Sequence, residues 1–193
     1  MLANSFRNTL LHCIELLEEN KADYWLDWGS LLQSRRGEEA FYYDFAFDIG
    51  IRDKDLQRMI PIFKANVPVY EDAVLAVFDD QNQPGFKFKH VEFVDVLPMK
   101  WILFYPYTEV EKGLTISFVK EGNAFIEHTD LFPLQVIKFE NISIKAPRNA
   151  DEICKQRFGA FYKTELFPVL RPKKRYQGES EWSARLGTNS FPS

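Results

Sequence analysis

The stretch from Tyr24 to Leu56, YWLDWGSLLQSRRGEEAFYYDFAFDIGIRDKDL, constrains this chain more than any other. Tyr24, Leu26 and Trp28 alternate with Trp25 and Asp27, which predicts a strand stopped at Gly29. Ser30 then suits the N-cap of a short helix carrying Leu31 and Leu32. Gly29 lets the backbone approach another group closely, and a helix start offers N–H groups to an anion. A loop leads to YYDFAFDIGI, an aromatic and β-branched run that predicts a second strand, and a helix begins at Asp53. On a strand, Asp44, Ala46 and Asp48 share one side. A glycine turn for phosphate beside strand-borne carboxylates for a divalent ion suits nucleotidyl or phosphoryl transfer. The same spacing also suits an edge strand with two solvated aspartates.

The rest of the chain mixes helices and strands without strict alternation, which predicts an α+β fold: a mixed sheet with flanking helices and extra β-hairpins. Residues 4–20 form an amphipathic helix on Phe6, Leu10, Cys13, Ile14 and Leu17. A helix from Asp53 to Lys64 turns Leu56, Met59, Ile60 and Phe63 inward. Strands are expected at residues 73–78, at 86–96 with a bulge near His90, at 101–107 and at 114–119. The segment DDQNQPG reads as a turn with its acidic pair solvated, and Pro106 as a sheet edge or bend. A hairpin centred on Glu140-Asn141 precedes a helix capped by Asn149 or Asp151 and ended by Gly159. Residues 1–170 read as one domain and 171–193 as a polar basic tail, with Arg171 to Arg175 a solvated cluster.

Two blocks resemble the LicD and fukutin-related family of phosphotransferases, whose fold is similar to the DNA polymerase β type of nucleotidyltransferase. WLDWGSLLQSRR falls on the family's WLDYGTLLGAVR without a gap, and YYDFAFDIG on its PWDDDIDIG. Near the C-terminus, LFPLQVIKFENISIKAPRNADEICKQRFG resembles the family's closing block. The resemblance implies transfer of a phospho-alcohol, of phosphocholine or ribitol phosphate type, from a CDP-activated donor to a glycan hydroxyl, with Mg²⁺ or Mn²⁺. It implies donor phosphate contact for Gly29, Ser30 and Arg36, and metal binding for Asp44 and Asp48. Ala46 departs from the family at the middle carboxylate. Asp44 and Asp48 stand about 13 Å apart along a strand, too far to share one ion easily. A later family aspartate falls on Ile102 if WILFYPY is aligned, or on Asp95 if FVDVLP is. With Ala46 and Ile102 in place of carboxylates, the alternative is a catalytically degenerate member that serves as a binding or scaffold protein.

A net charge of −4 argues against a broad nucleic-acid surface. No apolar run reaches the roughly 20 residues that span a bilayer, and the N-terminus lacks a signal-peptide layout. Cys13 and Cys154 read as buried thiols, so a reducing, cytoplasmic setting is expected, either for a cytosolic relative or for an excised domain. The three histidines lie apart without zinc spacing, and His128 with Asp130 reads as an ordinary loop pair.

Overall fold

A computed structural model describes residues 4–37, 46–66, 73–80, 83–90, 101–116, 124–139 and 141–164. In chain order the elements are α1 (Asn4–Glu19), β1 (Tyr24–Leu26), α2 (Trp28–Arg36), β2 (Ala46–Arg52), α3 (Asp53–Asn66), β3 (Ala73–Asp80) and β4 (Gln83–His90). They continue with β5 (Trp101–Val110), β6 (Gly113–Ile116), β7 (Ile126–Glu127), α4 (His128–Leu131), β8 (Gln135–Phe139), β9 (Ile142–Ala146) and α5 (Ala150–Phe158). This is a mixed α+β fold, as the pattern of the sequence predicts.

Among the described residues the main sheet has the order β1-β2-β5-β6-β7. The β2–β5 pair is parallel and its other pairs are antiparallel. Register decides the two faces. Tyr24 pairs with Ile51, Leu26 with Ile49, Phe47 with Ile102 and Ile49 with Phe104. These side chains share one face because paired residues point the same way and neighbours along a strand alternate. All of them are buried. Phe63 of α3 meets Phe104 there, ring centroids 5.3 Å apart, and α1 packs on α3. Each fully buried Leu, Ile or Phe contributes about 1.5–3 kcal/mol relative to exposure. The opposite face carries Trp25, Asp48, Gly50, Leu103, Tyr105 and Tyr107, and α2 and α5 lie over it.

Several elements differ from expectation. The segment read as the DDQNQPG turn is mostly strand: β3 and β4 pair from Ala73↔His90 to Asp80↔Gln83, so Asp79 and Asp80 belong to a ladder. The bulged continuation expected over 91–96 lies outside the described residues. Pro106 does not end its strand, because β5 runs on to Val110. It sits where the strand changes neighbours: β6 joins only from Tyr107, so an absent N–H at position 106 breaks no β5–β6 bond. The β7 strand and the single turn of α4 were not signalled by periodicity, being too short to show one. The hairpin β8–β9 and helix α5 stand where the sequence places them, α5 running from the N-cap position Asn149 to Gly159 (φ 92°). The tail from 171 onward lies outside the described residues. No described helix is long and apolar enough to cross a membrane.

Candidate active site

The first strand ends two residues, and the second helix begins three residues, earlier than the sequence suggests. Asp27, in extended backbone at the N-cap position, donates its N–H to the Asp48 carbonyl (3.0 Å) and so prolongs the β1–β2 pairing by one residue. Its own carbonyl accepts the first helical bond, from Leu31 N–H at 2.9 Å. Trp28 makes the sharp change of direction with φ +38°, a conformation that costs an L-residue about 1–2 kcal/mol. The expected turn at Gly29-Ser30 is therefore the first turn of α2, and Ser30 is not its N-cap.

Ser30 has another task. Its N–H donates to Asp48 Oδ2 (3.4 Å), and Asp48 N–H donates to Ser30 Oγ (2.9 Å). The side chain that satisfies the third N–H of the helix thus comes from the neighbouring strand, and the serine hydroxyl returns the bond. Tyr105 O–H donates to Asp48 Oδ1 at 3.2 Å. Ser30 and Asp48 are both buried. Of the residues singled out from sequence, these two are brought together, with Gly29 next to them in the same turn.

The centre of the site is a group that sequence reasoning missed. Arg157, from α5, bonds Asp27 Oδ1 through Nη1 and the Tyr107 hydroxyl through Nη2 (2.7 Å). Tyr107 O–H in turn donates to Asp27 Oδ2 at 2.7 Å. The three side chains close a ring of hydrogen bonds. Arg157 also lies over the Trp28 indole, 4.4 Å from the ring centroid, and Trp28 leans on Tyr105 with centroids 5.9 Å apart. The ion pair is buried on both sides, at 1% and 0% side-chain exposure. Burial disfavours the Arg157 charge, but Asp27 and Tyr107 outweigh it, and the guanidinium is held more firmly protonated than an exposed arginine. Burial, with the carboxylates nearby, raises the Tyr105 and Tyr107 hydroxyls well above their ordinary range, so both remain donors at neutral pH. One signal was legible: position 157 falls on the apolar stripe of α5 with Ile153, Cys154 and Phe158, where a charge is out of place unless paired.

Other assigned residues are placed differently. Arg36 closes α2, about 9 Å along the helix axis from Ser30, and its Nε donates to the Tyr162 carbonyl (2.7 Å). Its neighbour Arg35 forks onto Asp151 with bonds of 3.2 and 2.6 Å. Ile102 pairs with Phe47 in the apolar face, whereas Leu103 is the partner of Asp48. A carboxylate at 102 would point away from Asp48, so Ile102 does not mark a carboxylate lost from this face. Asp44 and Asp95 lie outside the described residues. Glu109 bonds Arg52 (2.8 Å) and His128 (3.0 Å), while Asp130 accepts the Asn149 amide. His128 and Asp130 thus have separate partners. No three His, Cys, Asp or Glu side chains stand together as a metal cage among the described residues. A cavity of about 350 Å³ lies at the start of α5, lined by Arg35, Arg148, Asn149 and Asp151 among others, and does not touch Asp48.

The Arg35–Asp151 contact has a pH signature. The Arg35 bond, with those from Tyr162 and Lys163, holds the Asp151 carboxyl well below the usual carboxylate range. A carboxyl lowered in the folded state stabilises above its unfolded value, near pH 4, and that contribution is lost as pH falls below it. Urea midpoints measured from pH 6 to pH 2 should fall more steeply for the wild type than for Asp151→Asn.

Residues 21–149 match the family model described as LicD/FKTN/FKRP, nucleotidyltransferase domain. The chain belongs to the LicD family. The matched segment of the LicD domain runs from before β1 to the start of α5, so it contains Asp27, Ser30, Asp48 and Tyr107, while Arg157 reaches the site from beyond it. An uncharacterized protein of Rickettsia typhi (strain ATCC VR-144 / Wilmington) is 28% identical over 137 residues, which is 69% of this chain. The chain spans 38% of that relative's length. Among solved structures, the lincosamide antibiotic adenylyltransferase LnuA with lincomycin bound aligns at a TM-score of 0.46 and 16% identity, over 72% of this chain and 78% of that one.

Proposed function

We propose that this LicD domain transfers a phospho-alcohol, of phosphocholine or ribitol phosphate type, from a CDP-activated donor to a glycan hydroxyl. The observation that carries the reading is the reciprocal Ser30–Asp48 bonding, which sets a strand carboxylate against the first turn of α2. In the reaction the acceptor oxygen forms a bond to the phosphorus bearing the alcohol. The bond from that phosphorus to CMP breaks, CMP leaves, and the hydroxyl proton passes to water or a carboxylate. Charge accumulates on the leaving group, so fixed donors near the diphosphate are what the site must supply.

Gly29 stands in the first turn of α2, where the dipole and the helix N–H groups that Asp48 does not take would favour the diphosphate, and Ser30 fixes Asp48 beside it. Asp48 is a hard oxygen donor of the kind Mg²⁺ or Mn²⁺ takes, and Asp44 is retained as a metal-binding assignment from the family resemblance. A divalent ion, when bound, neutralises charge on the diphosphate and on departing CMP. With few protein carboxylates to hold it, such an ion would draw its remaining ligands from water and the donor phosphate. Tyr105, held protonated, keeps Asp48 oriented through Oδ1. Asp95, as the later-strand catalytic carboxylate, and Arg36, as a phosphate contact, are retained as assignments from the family resemblance.

Calorimetry with CDP and CTP, with and without Mg²⁺ or Mn²⁺, tests the reading on the purified chain and on Asp48→Asn. The wild type should bind in a metal-dependent way, and the variant should lose at least about tenfold in affinity, or 1.4 kcal/mol. Binding indifferent to metal and to Asp48, or no binding, would overturn it and leave the alternative of a family member that serves as a binding module.

A further inference from the structure

We propose that Arg157 is the positioning residue of this site, locking the β1–α2 junction from α5 so that Ser30 and Asp48 keep their mutual bonds. Several contacts meet at the junction. The Arg157 fork holds Asp27 and Tyr107 together, and its guanidinium covers the indole of Trp28. Asp27 is the residue whose N–H ends the strand pairing and whose carbonyl starts the helix. Trp28 is the residue with the strained backbone, φ +38°. Three positions on from Asp27, Ser30 meets Asp48.

The physical argument concerns what a strained helix start does when it is not held. A left-handed Trp28 relaxes unless the surrounding contacts over-determine it. Asp27, at the usual capping position, makes no side-chain bond to its own helix, since its carboxylate faces Arg157 and Tyr107 instead. The helix start is therefore held from outside, by Asp48 on one side and Arg157 on the other. If the fork is lost, Trp28 and Asp27 can return to a local capping arrangement, which rotates Ser30 away from Asp48. A lysine supplies the charge but not the planar pair of donors that spans Asp27 and Tyr107 while lying flat on an indole.

The consequence for ligand binding rests on the function proposed above; the lock itself does not. Two readouts separate them on Arg157→Lys and on Tyr107→Phe, which keeps the ion pair but removes the bridging hydroxyl. One is hydrogen exchange of the Ser30 and Leu31 amides, compared with the core amides of Ile49 and Phe104. The other is the affinity for CTP with Mn²⁺. The expected result is exchange at Ser30 and Leu31 faster by about tenfold beyond any change at the core amides, with CTP affinity lower by a similar factor. A purely structural role would speed all four amides in parallel, and that outcome, or no change, overturns the proposal. Should the wild type bind no CTP, the transferase reading falls and exchange alone decides on the lock. Should the wild type and Arg157→Lys bind CTP equally, the consequence for binding falls while the transferase reading stands, and exchange again decides on the lock. If Arg157→Lys does not fold, Tyr107→Phe carries the same decision.

Discussion

Replacement of Arg157 by methionine is expected to lower the unfolding free energy by about 3–5 kcal/mol, the usual cost of leaving one member of a buried ion pair without its partner. Asp27 would then be a carboxyl group at 0% exposure without its counter-charge, with the Tyr107 hydroxyl its remaining contact within the ring. A domain of this size has a stability of about 5–15 kcal/mol, so the loss is a large share of the total and corresponds to a fall in Tm on the order of 10 °C. Urea denaturation followed by circular dichroism measures it. The informative companion is Asp27→Asn in the Arg157→Met background. Once neither charge is buried, most of the cost should be recovered, because desolvation of an orphaned ion rather than loss of attraction dominates. Failure of the second substitution to restore stability would show that Arg157 acts by packing on Trp28 alone.

Gly50→Ala is the second large effect, expected at about 3 kcal/mol of destabilisation. A β-carbon at position 50 would stand 2.3 Å from Trp25 Nε1 and 2.4 Å from Cε2, far inside contact distance. Trp25 cannot withdraw easily, being completely buried with its ring centroid 5.1 Å from that of Tyr107. Thermal unfolding of Gly50→Ala, alone and combined with Trp25→Leu, measures the effect. The pair should be less destabilised than the sum of the single variants, because the smaller side chain vacates the space the new methyl needs. Strict additivity would mean that the clash is relieved by backbone movement instead. The glycine is thus required on the same sheet face as Asp48, two residues along β2, and its role is to admit an indole that floors the site.

Much of this architecture was readable from local signals. The stripe of Leu10, Cys13, Ile14 and Leu17 reports α1, the paired runs about Asn141 report β8–β9, and the family blocks report the order of the site elements. Side-chain period and turn chemistry act over a few residues, so a sequence states them directly. Boundaries were less legible. The alternation Tyr24, Leu26, Trp28 reads as a strand through Trp28 only because the pattern does not encode backbone hand. The actual turn at Trp28 is imposed by neighbours that pack upon it. The face of Ile102 was also hidden, since a strand shows which residues alternate but not which set meets Asp48.

By itself, the sequence determined the family, the α+β class, the proximity of Ser30 and Asp48, and the burial of both cysteines, whose thiols burial raises, that of Cys154 to about 12. Only the tertiary structure decided that Asp27 is bound by an arginine 130 positions away and by a tyrosine 80 positions away. The reason lies in the range of the forces. Periodicity and capping are local, whereas a buried charge is stable only where the whole fold delivers its counter-charge and hydrogen bonds to one point. Read along the chain, Asp27 looks like a surface residue and Arg157 like a charge stranded on an apolar stripe; both become the interior of the site when the sheet and α5 close over them.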